Sequence, residues 1–184
     1  MSRRVLLLVL VVLVVVGAGV ALVATTRPEL SDRRAAVDRS WTPLREPLTA
    51  RYAALDQLST ALDGAGAGDR SYAVDLAGEV TRWTALAGRA DAGAEASSAN
   101  RLEGLATRTR VNVARSARLS RDPAVVEALT AFDAALVADA DVRAYNRAVR
   151  RYQETRTGTL AQIPAGLLGY GARPVLVVGA PSAR

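Results

Sequence analysis

An all-α fold, with one membrane-spanning helix leading into an elongated antiparallel bundle of about four helices, is predicted for this 184-residue chain by three observations. Residues 5–23 are apolar and uncharged without a break. Beyond them, apolar residues recur at steps of three and four, the period of a helix face. Glycine and proline clusters then punctuate that pattern at a few places only, so the elements are few and long. No repeat of 20–50 residues and no sustained heptad is present, which disfavours a solenoid or a simple coiled coil. The chain divides into an anchor at 1–26, a bundle at 27–158 and a C-terminal apolar segment and tail at 159–184.

Val5 to Val23, VLLLVLVVLVVVGAGVALV, spans roughly 28 Å as a helix, close to the hydrocarbon thickness of a bilayer. Leu22-Val23-Ala24 resembles a signal-peptidase site, but the run exceeds the usual signal core of about 7–15 residues and reads as an uncleaved anchor. Arg3 and Arg4 flank it directly, so the N-terminus is expected inside and the bundle outside a cytoplasmic membrane. Gly17 and Ala21 form a small-xxx-small pair that offers a helix contact.

The first soluble helix carries Val37, Trp41, Leu44, Leu48, Tyr52, Leu55, Leu58 and Leu62 on one stripe. Pro43 and Pro47 each remove a backbone donor, which predicts a kink or break near Thr42. The Gly64–Gly68 tract ends the element. A second helix begins near Asp69 or Ser71, either of which can cap it, and turns Leu76, Val80, Trp83 and Ala87 inward. Residues 88–98 read as a loop. A third helix follows from about Asn100 to Leu119, with Leu102, Leu105, Ala106, Thr109 and Val113 inward.

Asp122-Pro123 is a helix start, a cap residue followed by proline in the first turn. The helix it opens can run to about Thr157, roughly 50 Å. Its stripe Leu129, Phe132, Leu136 is offset from Val142, Tyr145, Val149, Tyr152, which predicts a stutter or bend near Asp139–Asp141. Gly158 ends it. An apolar piece, Leu160 to Tyr170 around Pro164, precedes Pro174–Val178, an extended segment packed on the bundle or lying on a membrane surface. Gly179–Arg184 reads as a loose tail.

Composition limits the chemistry. The chain has no cysteine, no histidine and no lysine, and all 24 basic residues are arginine. Disulfides, thiolate nucleophiles, Cys/His zinc sites, Ser-His-Asp triads and lysine Schiff bases are therefore excluded. Asp133, Asp139 and Asp141 are the nearest approach to a carboxylate cluster, yet Asp139 and Asp141 diverge by about 200° on a helix. No catalytic residue, cofactor site or metal site is predicted, and the chain is not expected to be an enzyme.

Arginine is concentrated locally. Residues 101–121 hold six arginines and one glutamate, and 141–184 hold seven against Asp141 and Glu154. Such stretches either solvate a helix face or meet an anionic ligand or lipid headgroup, with Arg147, Arg150 and Arg151 as candidate contacts. With few aromatics to stack bases and no recognition motif, nucleic acid is not an expected partner.

Tyr145, Val149, Tyr152 and Arg156 share one helix face, where tyrosines bury their rings and turn their hydroxyls to a partner, so the face is expected to pack between helices, the alternative being a binding site. Asn146 sits beside that face, where it can bond a neighbouring helix or point to solvent, and solvent is the expected direction. Tyr145-Asn146, Ala148, Val149 and Tyr152, with Gln153 in place of a second asparagine, together with Gly169-Tyr170 and Pro174 before an apolar run, resemble the C-terminal pattern of the LemA family of bacterial membrane-anchored helical proteins. Trp41 and the stretch from Leu48 through Arg51, Tyr52 and Leu55 to Leu58 resemble that family's long-helix motif. Asp56 stands where the family has proline, Arg156 where it has isoleucine, and Gly158-Thr159 where it has phenylalanine-proline. The resemblance implies a membrane-tethered helical bundle with no cofactor. The expected function is an envelope scaffold or adaptor, its partners being the bilayer and membrane or envelope proteins or a second copy of itself. The alternative is an arginine-based binding domain for an anionic envelope ligand.

Overall fold

The structure, a computed structural model, describes residues 3–86, 89, 91–158 and 169–179, and among these it leaves aside the side chains of residues 3–9 and 11–26. The described residues form five α-helices and one short 3₁₀ turn and no strand. They are α1 (Arg3–Gly64), α2 (Ser71–Leu86), α3 (Ala92–Arg115), α4 (Pro123–Ala134) and α5 (Asp139–Thr157), with the 3₁₀ turn at Leu119–Arg121.

The spine is α1. Every residue of its predicted stripe, from Val37 to Leu62, is buried, and the stripe extends back to Leu30. No break occurs at Pro43 or Pro47: the helix runs through both. Pro43 is exposed, and the carbonyl it would have bonded belongs to exposed Arg39, so water can satisfy it. The helix closes with Gly66 at φ 65°, the amide of Ala67 on the carbonyl of Leu62 at 2.8 Å and that of Gly66 on Asp63 at 2.8 Å. This paired capping pattern needs a left-handed residue, which glycine supplies without a Cβ penalty.

The turn sends α2 back along α1, and the Tyr52 and Trp83 rings meet edge to face at 4.8 Å. Helix α3 reverses again: Ser98 donates to Glu79 at 2.6 Å, and farther on Arg108 pairs with Asp75 at 2.9 Å. It starts at Ala92, inside the stretch expected to be a loop. Asp91 caps it, accepting from the amides of Gly93 and Ala94 at 3.0 and 3.2 Å, and alanine favours helix once a cap is present. The predicted inward residue Ala87 lies outside the described residues.

The fourth layer is broken in two. Helix α4 packs beside α1 from about Arg51 to its C-terminal end, and α5 beside the stretch of α1 from about Glu29 to Trp41, so both run antiparallel to the spine. The expected bend is a full interruption at residues 135–138, and Leu136, expected inward, is exposed there. Asp122 caps α4 through Ala124 and Val125, while Asp139 and Asp141 occupy the first turn of α5, where negative charge suits the helix dipole.

Residues 169–179 are neither helix nor strand: Gly169 turns with φ 71°, its carbonyl accepts from the Gly171 amide at 3.0 Å, and the chain then runs between α3 and α5. Of the C-terminal expectations, the apolar piece before Gly169 and the loose end after Gly179 lie outside the described residues. The Val5–Val23 anchor, Arg3, Arg4 and the Gly17/Ala21 pair fall in the part of α1 whose side chains are not described. Among the described residues, no helix is long and apolar enough to cross a membrane.

Candidate functional site: a polar seam along the spine

Two buried carboxylates from α3 organise the seam. Glu103 receives Nε and Nη2 of Arg51 on its two oxygens at 2.7 and 3.1 Å. Arg51 is 3% exposed, so a fork-to-fork pair is needed to offset the desolvation of both charges. Its remaining nitrogen, Nη1, donates to the carbonyls of Phe132 and Ala135 at 2.8 and 3.0 Å, and its guanidinium lies 3.7 Å from the centre of the Phe132 ring. One side chain of α1 thus pairs with α3 and caps the C-terminus of α4, where a cation meets the negative end of the helix dipole. That capture accounts for the interruption: carbonyls that would have accepted from a continuing helix accept from Arg51 instead. The Tyr52 hydroxyl lies 3.4 Å from Glu103 Oε1, and burial first, then the Glu103 charge, pushes its pKa well above the usual phenol value.

Glu95 is the second carboxylate. Its Oε2 accepts from Trp41 Nε1 and, at 2.9 Å, from Arg45 Nε. Trp41 also meets the Tyr145 ring edge to face at 4.8 Å, which ties α1 to α5. Glu95 Oε1 and Trp83 Nε1 are buried without a protein partner, and both side chains line an apolar cleft of about 550 Å³ with Ala50 and Ala53.

The third part holds the chain's own C-terminal segment. The hydroxyls of Tyr145 and Tyr152 donate to the carbonyls of Pro174 and Gly171 at 3.0 and 2.8 Å. Burial raises the pKa of both phenols. Gln153 donates to Arg173 O at 2.8 Å. Asn146 does not face solvent as expected. It donates to Leu176 O at 2.8 Å and accepts from Leu176 N at 2.7 Å. From α3, Asn100 makes the matching pair, donating to Val175 O at 2.7 Å and accepting from Val177 N at 2.9 Å. Gly179 N reaches Glu103 at 2.9 Å, joining this part to the first. Arg173 is buried between Asp91, which it bonds, and Asp38, 3.9 Å away. Gly93 makes room for it, since a Cβ there would stand 2.7 Å from Arg173 Cδ.

Trp41, Arg51, Tyr52, Tyr145, Val149 and Tyr152, singled out from the sequence, are all buried along this seam, with Asn146 half-buried at its edge. Their partners Glu95, Glu103, Asn100 and Arg173 were not singled out. Glu95 falls on the stripe 95, 99, 102, 106, 109, 113 once α3 is extended back to Ala92, so a signal for it existed.

The predicted anionic contacts share one exposed stretch of α5. Arg147, Arg150 and Arg151 are exposed there, and Arg150 lines a cleft with Gln153 and Val175. A second trio converges: Arg70, Arg115 and Arg118 line a cavity of about 280 Å³ at the far end of α1, with Tyr72, Asn112 and Ser116 and no acidic residue. Asp133 pairs with Arg110 at 2.5 Å, apart from Asp139, which pairs with Arg143. No acidic cluster able to hold a metal occurs among the described residues. Compared with known proteins, the chain matches no family model, no curated protein and no solved structure.

Proposed function

We propose that this chain is a membrane-anchored, LemA-like scaffold or adaptor, with residues 1–26 in the cytoplasmic membrane, the N-terminus inside and the bundle outside. The observation that carries the reading is the continuity of α1. One helix bears 19 uncharged residues near its start and the entire core stripe of the bundle farther on. Its 62 residues make a rod of roughly 93 Å. A bundle built on such a rod stands at a set distance from the bilayer and presents its flanks to neighbours. The absence of cysteine, histidine and lysine supports a role without catalysis.

The test keeps the full chain and replaces Val12 and Val15 by aspartate, each costing about 2.5–3.5 kcal/mol at mid-bilayer. The wild-type chain should float with membranes, and the double variant should remain helical and stay soluble. A variant that still floats would refute the anchor.

A second reading, an arginine-based site for an anionic ligand, is favoured by the Arg70/Arg115/Arg118 cavity. Roughly 60 Å of helix separates Val23 from Gly64 beside that cavity, so the headgroups of the anchoring bilayer are out of reach. The ligand would be a free or polymeric anion. Its binding should weaken steeply with salt and vanish when the three arginines become glutamine; salt-independent binding to the triple variant would exclude it.

A further inference from the structure

The segment at residues 169–179 is held in the manner of a bound peptide. Its carbonyls at Gly171, Arg173, Pro174, Val175 and Leu176 and its amides at Leu176, Val177 and Gly179 all bond to side chains of α3 and α5. Two asparagines, one on each wall of the groove, each make a donor and an acceptor bond to the main chain, as a neighbouring strand would. Only two of its side chains are buried: Arg173 between Asp38 and Asp91, and Leu176 in the core. Val175 and Val177 are exposed. The groove therefore reads main chain plus two anchors three residues apart.

We propose that the α3–α5 groove is a binding site for an extended peptide, with an arginine anchor followed three positions later by an aliphatic one, and that its occupant is exchanged between copies of this chain. A second copy carries the same segment and fits by identity. Ten residues separate Gly158 from Gly169, a length of chain that extends at most roughly 35 Å. Exchange replaces one set of bonds by an identical set, so its equilibrium is decided by local concentration. This step rests on the anchored-scaffold reading, because copies anchored in one plane in the same orientation are concentrated beside each other. Exchanged tails would then tie neighbouring bundles together.

The chain has no native cysteine, so single cysteines report the exchange. Val175 on the tail and Arg150 on α5 are exposed and line one cleft. Full-length V175C and R150C copies with different tags are co-expressed, purified with their membrane and treated with a short bismaleimide. The expected result is a product joining the two tags, lost when the R150C copy also carries Asn146→Ala. Overturning results are a link within the doubly substituted V175C/R150C chain with none between copies, or a cross-copy link indifferent to Asn146→Ala. Flotation of the same sample reports anchoring separately. A floating chain without cross-copy product sinks the exchange alone, whereas a chain that does not float sinks the anchor.

Discussion

Asn146 on α5 holds both main-chain groups of Leu176, the carbonyl at 2.8 Å and the amide at 2.7 Å. A side-chain amide is suited to this because its oxygen and nitrogen mirror a peptide group. Three side chains with the same habit or its half, Asn100, Gln153 and Asn146, convert a groove between helices into a seat for an extended chain.

Replacing Asn146 by alanine should loosen residues 171–179 ahead of the rest. Two bonds go, and Leu176 must take water or leave the groove, at a cost of about 1–3 kcal/mol. Hydrogen exchange at Leu176 and Val177 should accelerate while the amides of α1 between Leu44 and Leu58 keep their protection. Asn146→Asp should loosen the segment as well, because a carboxylate cannot donate to the Leu176 carbonyl. Unchanged exchange in both variants would show that the segment is held by Arg173 and Leu176 alone.

Arg51 is expected to be the most sensitive polar position. Arg51→Met leaves Glu103 charged, buried and without its partner, an effect of about 3–5 kcal/mol. Arg51→Lys should also destabilise, since an ammonium cannot serve Glu103 twice and two carbonyls of α4 at once. The double variant Arg51→Met/Glu103→Met should recover most of the loss in urea unfolding, because no buried charge is left unpaired. Failure to recover would locate the loss at the carbonyls of Phe132 and Ala135 rather than at the ion pair.

Acid should release the tail. Burial alone would raise the Asp91 carboxyl, but hydrogen bonds from Arg173 and from the amides of Ala94 and Gly93 outweigh it and hold the pKa below the usual carboxylate value. A carboxyl depressed in the folded state stabilises it above its unfolded pKa of about 3.9, and that contribution disappears as pH falls through the folded value. Tail protection should therefore persist from neutral pH to about pH 4 and fall below it. Asp91→Asn should lower protection at neutral pH and flatten this acid limb.

Alkali acts through the opposite sign. Tyr52, Tyr145 and Tyr152 have raised pKa values, chiefly from burial. Above about pH 10 the unfolded chain ionises its phenols while the folded chain resists, so stability declines as pH rises from there. Phenolate absorbance should rise for these three only together with loss of helical signal. Independent titration of all five tyrosines near pH 10 would contradict their burial.

The fold was legible where it is periodic. The Val37–Leu62 stripe, the α2 and α4 starts and the burial of Tyr145, Val149 and Tyr152 all follow from helical spacing, which is a local property. Three local readings failed, two of them because a distant group intervened. Pro43 did not break α1 because its freed carbonyl faces water. Residues 92–98 are helix rather than loop because Asp91 caps them and Trp41 and Arg45 of α1 hold Glu95 in place. The expected bend near Asp139 became a gap because Arg51, some 80 residues earlier, takes the carbonyls of Phe132 and Ala135.

By itself the sequence determined that the chain is helical, where its apolar faces lie, and that thiol, imidazole and amine chemistry are closed to it. These are matters of composition and of neighbours within a turn or two. Which carboxylate receives Arg51, which arginines converge into a cavity, and where the segment after Gly169 comes to rest were decided only in three dimensions. Hydrogen bonds and ion pairs are short-ranged and directional, and the residues that make them here lie from 19 positions apart, Tyr152 and Gly171, to 135, Asp38 and Arg173. No spacing along the chain records such a meeting until the apolar stripes have packed and brought the partners within 3 Å.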